Sequence, residues 1–284
     1  MTVVKYQYDV YLSYPMRFEL TLTNIADSNV IGFNYHYPLS AAIYKIIHSA
    51  DSDYAAFLHE AGYGQGLKKF KLFTFSQLET PFKIKGDRLV MTTTEARLQV
   101  CFFLPLAAET FIKGLFQNRE LQIADKYSKV TFLISQVAGI ADMLPAADPE
   151  VMVTTRLKPL SPLVTGKKNE RGNYDYLLPR DAEFPYWLAH NLAGKWASVY
   201  EKNDEQMECL KRSISVNVEL MQKPPQQRLI TIKEATPEET KIKGATRFVL
   251  QTRMPKEVLE LALGAGMGLY NAMGMGCMDI LKRF

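Results

Sequence analysis

A chain of 284 residues, 47% of them hydrophobic and 23% charged, has the make-up of a globular protein of about two ordinary domains. No run approaches the ~20 uninterrupted apolar residues of a membrane span, and Lys5 and Asp9 break the N-terminal run with no cleavage site behind them, so neither an anchor nor a secretory leader is expected. Cys101, Cys209 and Cys277 form no CxxC pair, which argues against a disulfide framework or zinc knuckle and for a reducing cytoplasm, while the net charge of +4 does not by itself demand a polyanionic partner.

Residues 17–23 alternate strictly and put Phe18, Leu20 and Leu22 on one face, the pattern of a half-buried strand. Pro38 opens a helix in which Leu39, Ala42, Ile43, Ile46 and Ile47 recur at helical spacing. Ser52 or Asp53 caps a second short helix that stops at Gly62. Strands are expected over 70–77, 82–84, 89–93 and 97–104, with a turn at Lys85-Gly86-Asp87-Arg88. Residues 105–116 read as a helix and 129–136 as a strand. The order is β-α-β-β-α-β, the ferredoxin-like arrangement that RNA-recognition modules also use. Residues 138–150, with Gly139, Pro145 and Pro149, form the expected linker. A second pass repeats the rhythm: strand 151–157, helix 181–200, strands 214–220 and 247–253, helix 255–263 ended by Gly264, and a closing strand over 277–282. The expected fold is α+β, two tandem ferredoxin-like domains over 1–140 and 150–284, with residues 1–15 as an added strand or loose extension.

Basic residues cluster at Lys68, Lys69 and Lys71, at Lys83, Lys85 and Arg88, at Lys167, Lys168 and Arg171, at Lys211 and Arg212, and at Lys241, Lys243, Arg247 and Arg253. Such clusters fit a phosphate-tracking stripe or simply solvated faces, and clustering alone leaves both readings open. The least ordinary stretch is 264–276, where Gly264, Gly266, Gly268, Gly274 and Gly276 crowd together after a helix. Glycines at that density cost backbone entropy and let a backbone approach a ligand closely, or else mark a tight packing junction. The segment is no dinucleotide fingerprint, because it follows a helix and leads into a strand, and no Gly-Lys-Ser/Thr follows.

This C-terminal G-x-G-(five residues)-G-x-G with an internal Asn271 resembles the glycine-rich loop of the CRISPR-associated Cas6 endoribonucleases. Asn34-Tyr-His-Tyr-Pro-Leu39, Ala42-Ile-Tyr44, Phe57-Leu-His-Glu60, Lys71-Leu-Phe-Thr-Phe-Ser76, Leu160-Ser-Pro162 and Asn191-Leu192 are similar to that family in order and spacing. The resemblance covers most of 16–284. It implies metal-independent cutting of CRISPR repeat RNA in the precursor transcript, in which a 2′-hydroxyl attacks the adjacent phosphate to leave 2′,3′-cyclic phosphate and 5′-hydroxyl ends. It implies two ferredoxin-like domains, in agreement with the pattern, and no cofactor.

Such a cut needs a base, an acid and a cation. Of the four histidines, His59 ends the short helix, where the helix dipole favours a cation. It matches the family's catalytic histidine, although an isolated histidine is more often structural. Tyr44 matches the family's active-site tyrosine, against the alternative of a core tyrosine on an amphipathic helix. Lys71 aligns with the family's lysine, with Lys68 and Lys69 as rivals. His48 shares the helical face of Tyr44, His36 suits RNA stacking or a turn, and His190 suits packing. Gly266, Gly268, Asn271, Gly274 and Gly276, with Lys68, Lys69, Arg247 and Arg253, are the RNA-binding candidates. Asp51-Ser-Asp53 reads as helix capping rather than a metal site, and no metal ligand set is expected. The alternatives to an enzyme are a repeat-RNA-binding module and a structural subunit of a CRISPR effector complex. The expected partners are repeat RNA and effector-complex subunits, without a membrane, for a monomer or homodimer.

Overall fold

The computed structural model describes residues 15–64, 69–141, 144, 148–234 and 237–281. In the first half, strands β1 (Met16–Asn24), β2 (Val30–Gly32), β3 (Phe73–Phe75), β4 (Phe82–Lys85), β5 (Arg88–Met91), β6 (Glu95–Phe102), β7 (Glu120–Ala124) and β8 (Lys129–Gly139) alternate with helices α1 (His36–Ala50), α2 (Ser52–Glu60) and α3 (Pro105–Gln117). Five strands form one sheet in the order β3-β6-β1-β8-β7, while β2, β5 and β4 form a small sheet of their own. Strand β1 is antiparallel to both of its neighbours. Leaving aside edge strand β7, this is the ferredoxin-like order, in which each β-α-β crossover lays a helix on the same face.

The second half repeats the plan. Its elements are β9 (Met152–Pro159), β10 (Thr165–Lys168), β11 (Tyr174–Leu177), α4 (Phe184–Val199), α5 (Asp204–Ser213), β12 (Ser215–Leu220), β13 (Gln226–Ile232), β14 (Thr240–Thr246), β15 (Phe248–Pro255), α6 (Lys256–Ala265) and β16 (Met278–Ile280). The sheet order β12-β15-β9-β16 is again ferredoxin-like, and β10–β11 and β13–β14 are inserted hairpins.

Packing explains why these segments settle as they do. Leu39, Ala42, Ile43, Ile46 and Ile47 of α1 are buried as the period requires, and α1 lies against α3 at Gly114. A Cβ there would collide with the carbonyl of Ile46, so the two helices approach backbone to backbone. Several boundaries differ from the sequence expectation. Helix α1 begins at His36, with Pro38 inside the first turn, where its missing N–H leaves no bond unmade. The cap of α2 is Asp51, whose carboxylate accepts from the Tyr54 N–H at 2.8 Å, one residue before the expected caps. The strand expected over 70–77 shrinks to three residues because Leu72 has φ +54° and turns the chain. Strand β8 runs on to Gly139, which pairs with Phe18, so the connecting segment is shorter than 138–150. Helix α5 and both inserted hairpins were not expected from the pattern. Residues 1–14 and 282–284 lie outside the described residues.

The two sheets meet along a continuous seam. Arg17, 4% exposed, donates to the Asp279 carboxylate at 2.7 Å, and the thiols of Cys101 and Cys277 lie 3.9 Å apart. Leu72, Phe103 and Leu104 pack into the apolar core of the second sheet. A Cβ on Gly264 of α6 would stand 2.8 Å from the Cα of Phe103.

Candidate active site

Three side chains from separate stretches meet at the C-terminal end of α2. Tyr44 comes from α1, His59 from the last turn of α2, and Lys71 from the segment entering β3. The ring of Tyr44 stands edge-on to that of His59 at 5.5 Å between centroids, and edge-on to Phe73 at 5.4 Å. Lys71 Nζ donates to the His59 carbonyl at 2.8 Å, so the lysine sits at the negative end of the helix.

Local backbone brings them together. Gly62 (φ +66°) ends α2, and its N–H donates to the Phe57 carbonyl at 2.7 Å. Tyr63 and Phe70 then exchange two backbone bonds of 2.7 Å, which bends the chain back toward α2. The left-handed turn at Leu72 completes the reversal and delivers Lys71 beside His59. Burial pushes the Tyr44 phenol well above the ordinary tyrosine range, so it stays protonated and keeps its hydroxyl hydrogen. Burial and the neighbouring Lys69 draw Lys71 below the ordinary lysine range, against the pull of Glu60. The His59 ring is exposed.

The glycine-rich segment after α6 folds over this end of the molecule. Gly266, Gly268, Gly274 and Gly276 all have φ between 65° and 78°, the left-handed region that a side chain resists. A Cβ on Gly276 would collide with the Met267 carbonyl, and one on Gly274 with the Phe75 ring. The Asn271 amide donates to the carbonyls of Met267 and Met275, each at 2.9 Å. Asn271 is thereby committed to closing the loop on itself. Bonds from Ser40 Oγ to the Ala272 carbonyl at 2.6 Å and from Thr74 Oγ1 to the Met275 carbonyl at 3.0 Å tie the loop to α1 and β3. Ser40 lies one turn before Tyr44, so the loop and the Tyr44–His59–Lys71 group share one support. A cavity of about 560 Å³ opens between the loop, α4, the β10–β11 hairpin and residues 69–72, with Lys71 in its wall.

Comparison with known proteins agrees with this architecture. Residues 30–138 match "CRISPR-associated protein Cas6, N-terminal" and residues 146–280 match "CRISPR associated protein Cas6, C-terminal". The chain is 32% identical over 198 residues to the "CRISPR-associated endoribonuclease Cas6 1" of Methanocaldococcus jannaschii, covering 68% of this chain and 70% of that protein. The chain belongs to the Cas6 family. The structure of a Cas6-related protein from Pyrococcus furiosus superposes with a TM-score of 0.72 at 19% identity, covering 95% of this chain and all of that one. A RAMP protein described as binding different RNA substrates gives 0.72 at 17%, covering 94% and 100%. At these identities the superpositions establish the fold.

Within this Cas6 chain the remaining candidates are dispersed. Lys69 is exposed at the cavity mouth, its Nζ on the Gly64 carbonyl at 2.7 Å, and Lys68 lies outside the described residues. Arg247, itself at φ +63°, lines a separate cavity between the sheets with Arg156 and Lys158. Arg253 is exposed on β15, on the opposite face from buried Leu250, Thr252 and Met254. Neither arginine lines the cavity that Lys71 walls. His36 is buried against Tyr35 with ring centroids 4.4 Å apart, which removes it from RNA stacking. Burial drives its pKa down to about 3 and keeps it neutral. His190 lines the cavity. Among the described residues no group of three or more His, Cys, Asp or Glu is placed to hold a metal ion, and no helix is long and apolar enough to cross a membrane.

The residue that sequence reasoning passed over is Lys195. It is 2% exposed, and its Nζ donates to the carbonyls of Gly266 at 2.6 Å and Gly268 at 3.1 Å and to Asn271 Oδ1 at 2.5 Å. Three acceptors match the three hydrogens of an ammonium. The signal was legible: Lys195 lies three and seven residues beyond Leu192 and Leu188, on the apolar face of α4.

Proposed function

We propose that this chain is an endoribonuclease, as its Methanocaldococcus relative is named, and that it cuts CRISPR repeat RNA within the precursor transcript. The observation that carries the reading is the convergence of Tyr44, His59 and Lys71 beside the glycine-rich loop. In the proposed reaction the RNA's own 2′-hydroxyl attacks the adjacent phosphorus and the bond to the 5′-oxygen breaks. The products are a 2′,3′-cyclic phosphate and a 5′-hydroxyl, so water is not consumed in the cut. The exposed His59 imidazole moves the proton that this exchange requires. Lys71 supplies positive charge to the phosphorane, and the protonated Tyr44 phenol donates a hydrogen bond to the hydroxyl or a phosphate oxygen. These groups complete the chemistry with side chains alone, which is why the proposed reaction needs no metal ion.

The test is cleavage of the cognate repeat RNA on a denaturing gel in EDTA. The intact protein cuts once per repeat. His59→Ala lowers the rate by roughly 100-fold or more, the scale of a lost general acid or base, and a repeat lacking the 2′-hydroxyl at the cut site is not cut. Undiminished cutting by His59→Ala would remove the histidine from the mechanism. A second reading has one observation behind it, since Lys71 is already engaged by the His59 carbonyl, as a structural strut would be. In that reading the protein holds the repeat without cutting it, and the same gel shows full retention of intact RNA.

A further inference from the structure

The cavity beside the Tyr44–His59–Lys71 group has a composition that the cutting reaction does not use. Its rim is basic: Lys69 and Lys71 on one side, Lys168 on the other. No carboxylate lies among its described lining residues. Its walls are aromatic, with Tyr174 from β11, Trp187 from α4 and Tyr270 from the glycine-rich loop. The rings are organised. Tyr174 and Tyr270 stand edge-on with centroids 6.4 Å apart, Tyr176 and Tyr270 share a hydroxyl contact of 3.1 Å, and Lys168 Nζ lies 5.9 Å over the Tyr174 ring. Burial and the neighbouring Tyr270 push the Tyr174 and Tyr176 phenols above the ordinary tyrosine range, so both phenols are neutral.

Two polar atoms of α4 lack hydrogen-bond partners among the described residues: Trp187 Nε1, a donor, and Asn191 Oδ1, an acceptor, both buried. Residues 187 and 191 are one turn apart, so both sit on the helix face that lines the cavity. An unmet donor and acceptor sealed just behind a cavity wall are costly, and an occupant that draws either side chain outward offsets that cost.

A lysine rim over aromatic walls is what a nucleotide requires: the flat base stacks inside and the phosphate stays among the cations. The volume, about 560 Å³, falls within the range of small-molecule pockets and accommodates a purine or a pyrimidine. Because Lys71 belongs both to this wall and to the reactive group, the nucleotide held here adjoins the bond that is cut.

We propose that this cavity is a base-capture pocket, which takes one unpaired nucleotide flanking the scissile phosphate, stacks its base between Tyr174, Trp187 and Tyr270, and so sets the register of cleavage. The proposal rests on the endoribonuclease reading. It assigns to α4 and the β10–β11 hairpin a part in choosing the cut site, separate from the proton transfer at His59.

The experiment uses the full chain and the cognate repeat RNA carrying a single abasic site, moved one nucleotide at a time across the cut. One abasic position adjoining the cut weakens binding by the intact protein roughly ten-fold, the scale of one lost stacked base. In Tyr174→Leu that penalty shrinks, because the removed base and the removed ring belong to one contact. A 4-thiouridine at the same position photo-crosslinks to the peptides that carry Tyr174, Trp187 or Tyr270; this arm uses the unsubstituted protein, so folding of a variant does not enter. Equal binding of every abasic RNA, or crosslinks confined to peptides outside the cavity wall, overturns the pocket while cutting of the intact repeat leaves the enzyme reading in place. Failure of the unsubstituted protein to cut the intact repeat overturns the enzyme reading and the pocket together.

Discussion

Lys195 sits where the period of α4 calls for an apolar side chain, and it is held there by three acceptors of the glycine-rich loop. Replacement by methionine keeps the volume but leaves the Gly266 and Gly268 carbonyls and Asn271 Oδ1 without their donor. The expected loss is about 3 kcal/mol of stability, measured by urea denaturation. Burial also pulls the Lys195 pKa down to about 7, well below that of a lysine in an unfolded chain. The sign follows from proton counting. Below pH 7 both states carry the proton and the desolvation penalty is fully present. Between pH 7 and about 10 the unfolded chain holds a proton that the folded chain has released, so stability rises with pH in that window. Wild type therefore gains melting temperature relative to Lys195→Met as the pH is raised from 7 to 10. A constant difference across that range would mean that the three acceptors hold the ammonium charged throughout.

At the scale of elements, the glycine-rich loop is the part with least tolerance. Gly276→Ala forces a Cβ onto the Met267 carbonyl at φ +65°. The expected cost is at least about 2 kcal/mol, together with a fall in cleavage rate, since the same loop is bonded to α1 one turn before Tyr44. A variant that melts with wild type would show that the loop relaxes freely. What could be read from the letters divides along physical lines. Strands β1 and β15 and helices α1, α3 and α6 were legible because each buries a regular stripe against a core, such as Leu20 and Leu22 in β1 or Val258, Leu259 and Ala262 in α6. Helix α5 was not, because Leu210 is its one buried residue and its clearest mark is the Asn203–Gln206 capping box. The short strands β2, β10 and β11 owe their form to docking rather than to intrinsic pattern. At the candidate site, His59, Tyr44 and Lys71 stood out through resemblance. The left-handed turn at Leu72 that brings Lys71 to α2 leaves no trace in composition, since leucine rarely adopts it.

The whole molecule is held along the seam between its two sheets. Arg17 of β1 reaches Asp279 of β16 across 262 positions of chain, with the guanidinium buried and the carboxylate partly open to solvent. Arg17→Ala removes the partner of Asp279, although Lys158 remains 3.9 Å from that carboxylate. Allowing for that residual partner and for solvent, the expected destabilisation is about 2 kcal/mol by urea denaturation. The transition is expected to stay single, because Leu72, Phe103 and Leu104 belong to the core of the other sheet. Two separate transitions would show that the halves melt independently.

The same seam gives the protein a built-in gauge. Cys101 and Cys277 face each other within it, both buried, whereas Cys209 lies exposed on α5. A thiol reagent added to the native protein therefore titrates one equivalent promptly and the other two only as fast as the halves part. The lag between the first equivalent and the rest reads out how often the seam breathes, in solution and without any engineered label.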